Sequence, residues 1–192
     1  MDTITPEKFW STFSDGLHKK IHNDWKDKYQ SATKWTRYIT KILIQLGKHF
    51  HFDPEKWEIS KEYYRVDVGY YKVSNPLEAT YWKKLKAWDF IVAIEHENNP
   101  DTWYEEFVKL AHLNCQLKVI ISYHDFSNIQ SPVKNKINEV IEKIYQFQAC
   151  KQINDSWLFI FGPTLNCLDR DFEAYKFDGK SVRKLPNKSI LH

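Results

Sequence analysis

The chain has 192 residues, enough to bury a substantial core in one domain, and its 42% hydrophobic and 16% aromatic content excludes a disordered or low-complexity protein. A net charge of +3 is too mild to identify a nucleic-acid binder unless the basic residues cluster. The opening MDTITPEKFW has neither a basic nor an apolar signal segment, and no apolar run reaches membrane-span length. With Cys115, Cys150 and Cys167 odd in number and far apart, the expectation is a cytoplasmic protein with reduced thiols.

Thr5 is placed to cap a helix with Pro6 at its first position, and Phe9, Phe13, Leu17 and Ile21 recur at helical spacing. Ser31 is placed to cap a second, with an inner face of Trp35, Tyr38, Ile39, Ile42, Leu46 and Phe50, ending near Asp53-Pro54. The period then changes. Trp57-Glu58-Ile59 and Tyr63 to Tyr71 are rich in aromatic and β-branched residues and predict a β-hairpin, broken at Ser74-Asn75-Pro76. Trp88 to Glu97 predicts a mostly buried strand with a polar end.

A helix is expected from Pro100-Asp101, with Tyr104, Phe107, Val108, Leu110 and Ala111 inward, followed by a strand over Leu117 to Tyr123. Strand, helix, strand implies a parallel crossover. Ser131-Pro132 opens a helix with Ile137, Val140, Ile141 and Ile144 inward; Trp157 to Phe161 predicts a strand, and Asp178-Gly179 the turn of a closing hairpin. These elements define an α/β class: one mixed sheet covered by helices on both faces, preceded by N-terminal helices. The single domain then divides into N-terminal helices (1–53), a core (57–125), and a helix, strand and hairpin (131–192).

Chemistry concentrates in that core. Alternation along a strand puts Glu95 and Glu97 on the face of Ile91 and Ala93, and His96 on the other. Two carboxylates this close repel unless a cation or proton relieves them. Asp67, between Val66 and Val68, also needs a partner if buried. Antiparallel pairing that sets Asp67 opposite Glu95 centres the connection near Tyr81, inside the break between the strands. Asp67, Glu95 and Glu97 are therefore expected to form a cluster suited to Mg²⁺ or Mn²⁺, which prefer oxygen ligands.

A helix, a hairpin carrying an Asp, a strand with two motif residues, then helix and strand: from about Trp35 to Tyr123 this order resembles the PD-(D/E)XK, or restriction-endonuclease-like, nuclease superfamily. The resemblance implies Asp67 and Glu95 as magnesium ligands and phosphodiester hydrolysis of nucleic acid, DNA more than RNA. Glu97 stands where the family usually has Lys, as in the variant whose last motif residue is Glu. Some relatives carry the lysine on a neighbouring element, and Lys109 on the following helix is the candidate here. Lys72 has the wrong parity relative to Asp67, and Lys118 is open in direction. Many relatives dimerise, so a homodimer is among the implied partners. The alternative is a non-catalytic nucleic-acid or protein binding module on a nuclease-like scaffold.

Trp82 beside Lys83, Lys84 and Lys86 combines a stacking ring with phosphate-binding ammonium groups, the mix of a nucleic-acid groove, although an exposed loop explains it as well. His18 and His22 have a zinc-like spacing but lack a third ligand, and with Lys19 and Lys20 between them they read as a solvated stretch. His49 and His51 suit a helix end. Asn98 and Asn99 before Pro100 are turn residues, and no nucleophile elbow or Cys-His signature surrounds Ser122 or Cys115.

Overall fold

The structure is a computed structural model that describes residues 3–20, 29, 31–50, 57–63, 66–74, 87–127, 133–145, 156–167 and 169–187. Trp82, Lys83, Lys84, Lys86, His22 and His51 lie outside the described residues. In chain order the elements are α1 (Pro6–Lys20), α2 (Ala32–His49), β1 (Trp57–Tyr63), β2 (Val66–Ser74), β3 (Ala87–His96), α3 (Trp103–Ala111), β4 (Cys115–His124), α4 (Val133–Tyr145), β5 (Ser156–Pro163), a short 3₁₀ turn (Leu165–Cys167), β6 (Glu173–Phe177) and β7 (Val182–Lys184). The protein is of the α/β class.

The strands form one seven-stranded sheet in sequence order. Its outer pairs, β1 with β2, β2 with β3, β5 with β6 and β6 with β7, are antiparallel, while β3, β4 and β5 are parallel. The parallel centre requires crossovers, which α3 and α4 supply. Buried on both faces, β4 and β5 read as continuous apolar runs.

One face of the sheet, with Val68, Tyr70, Val92, Ile94, Leu117, Val119 and Ile121, packs against Phe9, Phe13 and Leu17 of α1 and Trp35, Ile39 and Leu43 of α2. The other, with Ala93, Ile120, Trp157 and Phe159, packs against Trp103, Phe107 and Leu110 of α3 and Ile137 and Ile141 of α4. Both N-terminal caps form as expected: the Lys8 amide donates to Thr5 Oγ1 and the Lys34 amide to Ser31 Oγ. The closing hairpin turns at Gly179, whose φ of 83° favours glycine.

One inner face differs from expectation. Helix α3 starts at Trp103, so its buried stripe is Trp103, Phe107 and Leu110, and this rotates Tyr104 (46% exposed) and Val108 (41% exposed) out to its flank. Trp103 outcompetes Tyr104 because its rings fit edge-on against Phe159 and Phe161.

Gly162 of β5 lies beneath two rings: a Cβ there would come within 2.6 Å of Phe172 and 2.9 Å of Tyr123. Gly162→Ala is expected to destabilise the fold by about 1–3 kcal/mol through overpacking, read as a lower midpoint in urea unfolding at unchanged slope.

Candidate metal and phosphate site at the end of β3

Pairing of β2 with β3 runs Val68–Ile94, Gly69–Ala93 and Tyr70–Val92 before an irregularity at Tyr70/Tyr71. That register carries Asp67 beside the Glu95–His96 peptide, where the His96 amide donates to Asp67 Oδ2 at 2.8 Å. Glu95 follows Ala93 on the α3 face of β3 and is 1% exposed. Its carboxyl and that of Asp67 act on one another: the Asp67 charge helps to raise Glu95, and Glu95 opposes the rise of Asp67.

Helix α3 closes the group. Lys109 Nζ lies 2.8 Å from Glu95 Oε1 and also contacts Glu106 Oε2, one turn earlier on the same helix. Glu106 was not singled out in the sequence, although its i, i+3 spacing to Lys109 is the signal that could have found it. The assembled constellation is Asp67, Glu95, Lys109 and Glu106.

Glu97 does not join it. Its amide continues the pairing with β4, donating to the Ile121 carbonyl at 2.9 Å, but the chain turns directly after it. Instead the Glu97 carboxylate accepts from the Asn99 amide at 2.6 Å and closes the following turn. Lys118, whose direction was open, lies on the Glu95 face, buried with its ammonium 5.1 Å from the Trp157 ring centre. Among the described residues no group of three or more His, Cys, Asp or Glu side chains is arranged to hold a metal ion.

Charge in the site follows its burial. Desolvation, reinforced by the negative charge of Asp67, pushes the Glu95 carboxyl up to about 9 against the pull of Lys109. Burial also raises Asp67, opposed by the His96 amide, the Lys109 charge and the Glu95 hydrogen bond. Burial works against the Lys109 ammonium, but its contacts with Glu106 and Glu95 outweigh this and its pKa is raised. At neutral pH the Asp67–Glu95 pair therefore keeps a shared proton, and Lys109 stays charged beside it.

On the opposite face, His96 Nε2 meets the Tyr123 hydroxyl at 2.6 Å, and that hydroxyl accepts from the Trp35 indole of α2. The expectation that His96 faces away from the carboxylates is met. Burial pushes its imidazole down to about 3, so it stays neutral. Asn98 Nδ2 also donates to Thr36 Oγ1 of α2 at 2.7 Å, so α2 holds the end of β3 at two points.

A cleft of about 350 Å³ lined by Phe126, Asp169, Arg170, Asp171, Glu173 and Asn187 shares no residue with this constellation. Among the described residues, no helix is long and apolar enough to cross a membrane. In comparisons with known proteins, no family model matches the sequence and no curated protein matches it significantly.

Two buried groups set opposite pH limits on stability. Folded Glu95 keeps its proton to about pH 9 while the unfolded chain releases it near 4.5, so its contribution declines as pH rises across that interval. Folded His96 refuses a proton that the unfolded chain takes up below 6.5, so its contribution declines as pH falls from 6.5 to about 3. Glu95→Gln is expected to flatten the alkaline limb of a stability-against-pH curve, whose slope from each group is at most about 1.4 kcal/mol per pH unit. Urea midpoints from pH 4 to 9 provide the measurement.

Proposed function

We propose that this protein is a metal-dependent nuclease of the restriction-endonuclease-like class, hydrolysing phosphodiester bonds in nucleic acid, with DNA as the favoured substrate. The observation that carries the reading is the meeting of Asp67 and buried Glu95 across adjacent strands, with Lys109 against Glu95. Two carboxylates fit Mg²⁺ or Mn²⁺, hard ions that commonly take one or two protein carboxylates and complete their shell with water and substrate phosphate. The raised Glu95 carboxyl supports the fit, because it marks a buried acid whose charge Lys109 offsets only in part.

In this reading Asp67 and Glu95 hold the ion, and the His96 amide keeps Asp67 turned towards it. The bound ion supplies Lewis-acid polarisation of the phosphate and a water of lowered pKa. Lys109 takes the part of the motif lysine from helix α3: its ammonium can orient the attacking water or donate to a phosphate oxygen. Glu97 keeps a turn in shape and has no part in the chemistry. An odd number of cysteines, with Cys115 and Cys167 buried, suits a reducing, cytoplasmic setting.

A non-catalytic binding module is the second reading, favoured by Glu97 at the motif-lysine position. Cleavage of supercoiled plasmid separates the two. Nicking that needs Mg²⁺ or Mn²⁺ and falls about a hundredfold or more in Asp67→Asn and Lys109→Met is the expected result. Metal binding without cleavage in the wild type selects the binding module, and cleavage that survives Asp67→Asn removes this site from the reaction.

Metal must also displace the shared proton. Titration of Mn²⁺ by calorimetry is expected to show affinity rising between pH 6 and 8, with a heat that depends on the buffer's ionisation enthalpy as the proton is released. Glu95→Gln is expected to abolish the binding.

A further inference from the structure

We infer that Lys109 is the built-in counter-ion of the Asp67–Glu95 site, and that an incoming divalent cation competes with its ammonium, which Glu106 retains at the rim. The inference rests on the metal-site reading above and adds to it a control of occupancy. Glu95 Oε1, one of the oxygens that reading gives to the metal, is already in contact with Lys109 Nζ at 2.8 Å. The Glu95 side chain is 2% exposed, whereas those of Lys109 and Glu106 are 33% and 22% exposed. The ammonium therefore reaches down from the rim onto a buried oxygen.

A divalent ion and an ammonium on one buried carboxylate repel strongly, because the surroundings screen them far less than water does. One must leave. Lys109 has a flexible stem and a second carboxylate already in contact, that of Glu106 at i−3, so it can release Glu95 without leaving the helix face. Glu106 is thus a positioning residue: it lowers the cost of releasing Glu95 and keeps the ammonium beside the site. The same lysine opposes metal entry and remains at hand afterwards.

Calorimetric titration of Mn²⁺ into the full chain, with thermal unfolding confirming that each variant folds, tests this in a double-mutant cycle. Lys109→Met is expected to bind Mn²⁺ about tenfold tighter or more, although plasmid nicking is lost, while Lys109→Arg keeps affinity near wild type. Glu106→Gln is expected to weaken binding about threefold or more where Lys109 is present and to have no effect in the Lys109→Met background. Should Lys109→Met not fold, Lys109→Gln is read in its place. Unchanged or weaker binding in Lys109→Met, or in Lys109→Gln read in its place, overturns the inference and leaves the metal site standing. An equal effect of Glu106→Gln in both backgrounds overturns the role of Glu106, because that residue then acts directly on the metal. Binding that appears only once Lys109 is removed supports the inference; no Mn²⁺ binding in wild type or Lys109→Met overturns it together with the metal-site reading.

Discussion

A carboxyl side chain buried at the end of an otherwise apolar strand is the constraint around which the centre of this protein is arranged. Glu95 follows Ala93 on the α3 face of β3, where water does not reach it and its charge is costly. The fold relieves that cost with a proton that Glu95 keeps far above the ordinary carboxyl range, held there in part by the Asp67 charge, and with the Lys109 ammonium. Asp67 comes from β2 and Lys109 from α3, so β2, β3 and α3 must be in place together.

The far face of β3 supplies the rigidity. His96 is neutral and buried, joined through the Tyr123 hydroxyl to the Trp35 indole, while its own amide holds Asp67. Tyr123 packs edge-on with Tyr29, whose ring meets Trp35 in the same manner. Thus α2, packed on one face of the sheet, helps to set the position of an acid that serves the other. The site is at once electrostatically costly and held by hydrogen bonds from both faces of the sheet.

In the proposed reading that combination serves function: a carboxyl pair holding one proton, with a tethered ammonium beside it, would exchange its cationic occupants for another cation without rebuilding the sheet. The exposed flank of α3, with Tyr104 and Val108, borders the turn that bears Lys109, so this helix shows solvent both an apolar and a charged surface.

The sequence by itself determined the class and the pairing of two acids. Alternation from Ala93 to Glu95 defined a face, and the break after Ser74 left room for the register that carries Asp67 to Glu95; Ile91, expected on that face, packs on the other because the pairing shifts at Tyr70/Tyr71. It also placed His96 on the opposite face. Only the tertiary structure decided how the chain leaves β3. The turn after it engages the Glu97 carboxylate with the Asn99 amide, and such turns depend on the neighbouring elements rather than on the residue alone. Packing against Phe159 and Phe161 rotated α3 onto Trp103, and the meeting of Lys109 with both Glu95 and Glu106 depends on that helix seating on the sheet. Contacts between elements far apart in the chain have no period of their own, so they could not be read before the elements were packed.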